Sequence, residues 1–143
     1  MRADRASVLA RITALYVDKI AAPILEPYDL SLAQYKIVGY LYNRPEGSVT
    51  TAELEDYFQM SHSTSVGLLN HLEDSGFIWR EKIKGSGRSK VIFLTEYSMD
   101  MKGQIDEAGD KIESVFLENL TENEAEQFIR ISRKILDMKE GED

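Results

Sequence analysis

From Val8 to Ile24 the apolar residues Val8, Leu9, Ile12, Leu15, Tyr16, Ile20 and Ile24 recur at intervals of three and four, which predicts an amphipathic helix over residues 5–25. The stretch Pro-Ile-Leu-Glu-Pro-Tyr-Asp then ends it. Ser31-Leu32-Ala33-Gln34 has the spacing of a capping box, with Leu30 and Tyr35 placed as a hydrophobic staple, and opens a second helix to about Asn43. The same grammar returns at Thr50-Thr51-Ala52-Glu53, with Val49 and Leu54 as the staple, for a short helix to about Gln59. After a tight connection at Met60-Ser61 a further helix runs to Gly76, where a left-handed C-cap would let Phe77 pack back. "FIWREKI" and "RSKVIFL" flank the tip "KGSG" and read as a β-hairpin. From about Thr95 a long helix follows with Met101, Ile105, Ala108 and Ile112 on one face. A third box, Thr121 to Glu124, opens the last helix, striped by Phe128, Ile131, Ile135 and Met138.

Two short helices joined by a tight turn and followed by a two-stranded hairpin make a winged helix-turn-helix. The fold class expected is therefore mainly α with a small β-hairpin wing, in a single domain over residues 1–143. Within it, residues 31–96 form the winged unit. The segments 1–30 and 97–143 carry amphipathic stripes that a two-fold pairing with a second copy would bury.

The 143-residue length allows one core and little more. No apolar run approaches a membrane span, and the N-terminus mixes charge into its apolar positions, so a cytoplasmic protein is expected. The absence of cysteine excludes disulfides, thiolate chemistry and thiol-based sensing. The net charge is −8, yet the charges are unevenly distributed. Ser61 to Leu94 holds Arg80, Lys82, Lys84, Arg88 and Lys90 against Glu73, Asp74 and Glu81, a net +2, which leaves −10 for the remainder. An acidic chain with one locally basic segment fits a DNA-facing surface, although charged hairpin edges also guard against edge-to-edge association.

The helix from Ser61 to Gly76 contains no lysine or arginine. Stepping it by 100° puts Ser65, Leu68, Leu69 and Leu72 toward the core and centres the opposite face on Ser63, Gly67, Asn70 and Asp74, with Thr64, His71 and Val66 on the flanks. Short hydroxyl side chains and backbone amides at a helix start bind phosphate without a long arm. Positive charge would then come from the hairpin.

"LSLAQYKIVGYLY", "TTAELEDYFQMSHSTSVGLLNHLEDSGFIWRE" and "GSGRSKVIFLTE" resemble successive landmarks of the MarR family of bacterial winged-helix regulators, most specifically in "HLEDSGFI" and the "FLTE" that follows. The resemblance is ungapped from about Leu54 to Glu96 and extends as a helical frame over nearly the whole chain. It implies a homodimer joined by its first and last helices, a repressor bound to a pseudo-palindromic operator in double-stranded DNA, and a small phenolic or anionic effector that lowers operator affinity. It places Ser61, His62, Ser63, Thr64, Ser65, Val66 and Gly67 against DNA, with Arg88 as the wing-tip arginine. Asn70, Lys84 and Lys90 are further candidates by position and charge. Tyr16, Tyr35 and Tyr40 are the effector candidates, set against an ordinary amphipathic core role. This chain departs from the family at Gly67, where a long polar residue is common, and at Ser86, where an aspartate usually braces the wing arginine.

No catalytic constellation is visible and no cofactor is implied. His62 and His71 fall on opposite sides of one helix and cannot share a metal. "GSGRSK" lacks the spacing of a phosphate loop. Paired acids such as Glu73-Asp74 and Glu53-Glu55-Asp56 read as solvated faces. Outside DNA binding, the alternative is an acidic winged-helix module that binds protein partners.

Overall fold

In the computed structural model, residues 4–85, 87 and 89–138 are described. Helix α1 (Ala6–Leu25) leads through a 3-10 turn (Glu26–Tyr28) into α2 (Leu32–Tyr42). The strand β1 (Val49–Thr50), α3 (Thr51–Phe58) and α4 (His62–Asp74) follow. The hairpin β2 (Ile78–Lys82) and β3 (Lys90–Leu94) precedes α5 (Glu96–Asp100), α6 (Lys102–Leu117) and α7 (Glu122–Ile135).

Local chemistry sets these boundaries. Ser31 and Gln34 bond reciprocally, Ser31 N–H to Gln34 Oε1 at 2.9 Å and Gln34 N–H to Ser31 Oγ at 3.1 Å. Thr121 and Glu124 do the same at 2.9 and 3.1 Å. The box expected at Thr50 is only half formed. Glu53 N–H donates to Thr50 Oγ1 at 3.1 Å, but the Glu53 carboxylate accepts the Tyr40 hydroxyl at 2.5 Å instead of reaching back. At the end of α4, Gly76 takes φ +83°, and the N–H groups of Phe77 and Gly76 donate to the carbonyls of Leu72 (2.9 Å) and Glu73 (3.1 Å). This Schellman closure folds Phe77 into the core.

Pro23 lies inside α1, and the helix ends at Leu25, as the sequence predicts. Two features differ from the sequence expectation. Val49–Thr50 forms a strand and adds to the hairpin, giving a three-stranded antiparallel sheet in the order β1-β3-β2 with Val49 opposite Ile92 and Ile78 opposite Leu94. The long helix after Thr95 divides at Met101 into α5 and α6. Its start is a Thr95–Ser98 capping box, and the buried Ser98 hydroxyl also donates to the Phe77 carbonyl at 2.7 Å. The Ser98 carbonyl receives the Tyr42 hydroxyl at 2.5 Å, which ties this first turn to α2 near the break.

The core lies among α2 to α6 and the inner sheet face, with Ile37, Leu54, Leu69, Phe77, Ile92 and Ile105 at its centre. Helix α6 packs on α1 and also meets α2, where the Tyr35 side chain sits so close to Gly109 that a β-carbon there would collide with the Tyr35 hydroxyl. In contrast, α7 has no buried residue, and α1 buries only Ala21 and Leu25. Among the described residues no helix is long and apolar enough to cross a membrane.

Candidate nucleic-acid interface

Helix α4 begins with a cluster of hydroxyls. The Ser61 Oγ accepts the Thr64 N–H at 3.2 Å and lies 2.9 Å from Thr64 Oγ1 and 3.2 Å from Ser63 Oγ. All three side chains are exposed, as a phosphate-binding helix start requires. Gly67 and Asn70 continue the exposed face, and Val66 is half-buried beside them. A β-carbon built on Gly67 would meet nothing within 4 Å.

Ser65 must be removed from the DNA-facing set. Its side chain is fully buried, and its hydroxyl donates to the Glu55 carboxylate and lies 2.9 Å from the His62 carbonyl. The 100° stepping of α4 places it correctly, whereas the family-based placement against DNA does not hold for its side chain. His62 is half-buried, with Nδ1 2.8 Å from Glu55 Oε2. Glu55 itself carried no signal in the sequence beyond its place in an acidic group. Within that group, Glu53 is taken by Tyr40 and Glu55 by His62 and Ser65, so neither is merely solvated.

Arg80 was also missed as an organiser. From β2 its guanidinium donates to Asn70 Oδ1 at 2.7 Å and to Glu73 Oε2 at 3.1 and 2.5 Å, joining the wing root to the third turn of α4. This occupies one Asn70 acceptor position and leaves the Asn70 amide as the outward donor. It also cancels one of the hairpin charges locally, because Arg80 and Glu73 form an ion pair. Lys84 is exposed at the tip, and Lys90 is half-buried opposite Lys82 in the ladder pair next to that tip. The start of β3 is fastened to α3: the Ala52 N–H donates to Ser89 Oγ at 3.4 Å, and Thr51 Oγ1 donates to the Lys90 carbonyl at 3.3 Å. Arg88 and Ser86 lie outside the described residues.

The three candidate effector tyrosines do not converge. Tyr16 is 41% exposed on α1, its ring 6.4 Å from Phe116. Tyr35 packs against α6 at Gly109, and burial, followed by the charges of Asp106, Asp110 and Glu113, raises its hydroxyl above the usual tyrosine range. Tyr40 faces α3 between the Tyr57 and Phe58 rings; burial and its bond to Glu53 raise it as well. A cleft of about 240 Å³ lies instead between the end of α2, the sheet and α5, lined by Tyr42, Arg44, Phe93 and Met99 among others. A more open groove beside α1, α2 and α4 carries Asp18, Glu26, Asp29 and His71. Among the described residues no group of metal-ligating side chains is assembled.

A family model described as the MarR family matches residues 28–89. A curated relative, an uncharacterized HTH-type transcriptional regulator of Bacillus subtilis (YfiV), is 35% identical over 68 residues, 48% of this chain and 41% of the relative. The match thus spans less than half of that relative. The S. aureus MepR structure in complex with DNA is 26% identical, with TM-score 0.80 over 94% of this chain and 98% of that one. A MarR transcriptional regulator of Methanosarcina mazei shares the fold at 18% identity, with TM-score 0.80 over 92% and 93% of the two chains.

Proposed function

We propose that the chain is a homodimeric, sequence-specific repressor of the MarR family, a reading supported by the family-model match over residues 28–89 and by a shared winged helix-turn-helix fold over more than nine-tenths of its length. The family is one of transcriptional regulators, not enzymes. The observation that carries the proposal is the exposed face of α4. Its first turn presents Ser61, Ser63 and Thr64, its second turn has an open Gly67, and the Arg80 clamp fixes the helix relative to a hairpin bearing Lys84 and Lys90. The hydroxyls and amides would hold phosphates, Val66 and the Asn70 amide would meet base edges, and the wing cations, Arg88 included, would supply the salt-dependent attraction.

Dimerisation rests on the uncovered apolar residues of α1 and α7. Val8, Ile12, Leu15, Ile131 and Ile135 are between 45% and 77% exposed in the single chain. Clusters of that kind mark an interface. For an anionic effector, the cleft beside Tyr42 and Arg44 has the better electrostatics, since the groove at Asp18, Glu26 and Asp29 repels negative charge.

Fluorescence anisotropy with DNA from upstream of the protein's own gene tests the reading, with random DNA as competitor. Specific binding should weaken steeply with salt, and Lys84→Ala and Arg88→Ala should each flatten that dependence by about one counterion per copy. Binding no tighter than to random DNA, both upstream of the gene and in a selection from genomic fragments, would refute the proposal in favour of a protein-binding module.

A further inference from the structure

With neither lysine nor arginine on α4, His62 is the side chain near its exposed first turn that can acquire positive charge. Its placement is specific. Glu55 Oε2, from α3, lies 2.8 Å from His62 Nδ1 and also accepts the Ser65 hydroxyl, so one carboxylate oxygen holds both the first and fourth residues of α4. A neutral imidazole can meet a carboxylate this closely only through an N–H, which assigns the proton to Nδ1 and leaves Nε2, on the other edge of the ring, as an acceptor. An acceptor repels phosphate. Once Nε2 is protonated it becomes a charge-assisted donor to a phosphate in front, while Glu55 behind holds the ring in place.

The other charges on the elements packed against α4 are already engaged or remote in sequence from its start. On α3, Glu53 is bonded to Tyr40, and Asp56 is exposed on the next residue after Glu55. The charged residue of α2, Lys36, has its Nζ 5.8 Å from the centre of the Phe58 ring. On β2, Arg80 is held by Asn70 and Glu73, while Glu81 and Lys82 are exposed farther along the wing. Glu55 is therefore the carboxylate in direct contact with the imidazole.

We propose that His62 is a proton-gated phosphate contact and Glu55 the positioning residue that aims it, so that operator binding takes up a proton at each recognition helix and tightens as the medium acidifies. This rests on the DNA-binding reading above. The linkage has a definite sign. A proton bound more firmly in the complex than in the free protein favours the complex at low pH, and the advantage is lost as pH rises through the titration range of the bound imidazole.

Anisotropy titrations with operator DNA at pH 6 and pH 8 test this, using the full chain, His62→Gln and Glu55→Gln. The wild type should bind roughly threefold to tenfold more tightly at the lower pH, with a log–log salt slope steeper by about one per histidine. His62→Gln should bind with that gain abolished, and Glu55→Gln, which leaves the ring without its positioning partner, should show a smaller gain. In the DNA-free protein, the ring ¹⁵N shifts should report Nδ1 as the protonated nitrogen of neutral His62. Specific binding with the same pH profile in wild type and His62→Gln would overturn the proposal while leaving the DNA-binding reading intact, as would a neutral ring protonated at Nε2. No DNA binding by the wild type at either pH would remove the reading and this proposal together.

Discussion

In the winged unit and the first turn of α5 that follows it, polar groups near the core find partners within the chain: Ser65 and His62 on Glu55, Tyr40 on Glu53, Ser98 on Phe77, Arg80 on Asn70 and Glu73. The terminal helices are the reverse. Helix α7 presents Phe128, Ile129, Ile131 and Ile135 on its surface and has no buried residue, while the first half of α1 exposes Val8, Leu9, Ile12 and Leu15. One region is satisfied by its own chain. The other is left with apolar area that water disfavours, which supports the proposed association with a second copy. In that proposed dimer, the two regions would have separate jobs, one reading DNA and the other holding the copies together.

The largest test of this contrast is Ile135→Asp. A carboxylate buried unpaired in the proposed dimer costs on the order of 3 kcal/mol. Sedimentation should show dissociation at concentrations more than about 100-fold higher than for wild type, with matching loss of operator affinity, while the winged unit keeps its fold. A variant that stays dimeric would remove the terminal helices from the interface. Next comes Gly109→Ala, at the seam between α6 and α2, where the new methyl group meets the Tyr35 hydroxyl. Urea denaturation should register a loss of about 1–3 kcal/mol, partly restored by adding Tyr35→Phe. No change in midpoint would mean that this seam is loose.

Two serines on opposite faces of α4 sharpen the contrast within the winged unit. Ser65→Ala should cost about 1 kcal/mol of stability by taking a donor from Glu55, whereas Ser63→Ala should leave the denaturation midpoint alone and weaken operator binding a few-fold. Equal effects on stability would contradict the separation of core and reading faces. The smallest effect concerns Tyr42, whose hydroxyl is pushed up to about 12 by burial, followed by the charges of Asp106 and Tyr97. Because the folded value is the higher, stability is intact below the ordinary tyrosine range and falls as pH rises from about 10 toward 12. Tyr42→Phe should make that alkaline decline shallower in thermal scans, at the cost near neutrality of its bond to Ser98.

What the sequence revealed were features written in neighbouring residues. The boxes at Ser31 and Thr121 and the glycine closure at Gly76 depend on groups three to five positions apart, and each formed as expected. Contacts across elements were not legible. Glu53 looked like the second half of a capping box until Tyr40, thirteen residues away, claimed its carboxylate. The division at Met101 accompanies Ser98 being held by Phe77 and Tyr42, both remote in sequence, and β1 is too short to carry an alternating pattern. In the site, helical stepping placed Ser65 in the core, and it was the resemblance to the family that moved it toward DNA. Glu55 and Arg80 could not be singled out, since their partners lie seven to ten residues or more along the chain, on other elements.

The vacancy at Gly67 has an evolutionary meaning. Nothing lies within 4 Å of the β-carbon position, so a larger residue there leaves the packing of α4 undisturbed and should gain about half a kcal/mol or more in helix propensity. Glycine and arginine codons differ by a single base. On the proposed DNA-binding reading, a duplicated copy of this gene is therefore one point mutation from carrying a long cation at the centre of the exposed α4 face, with no compensating packing change around that helix.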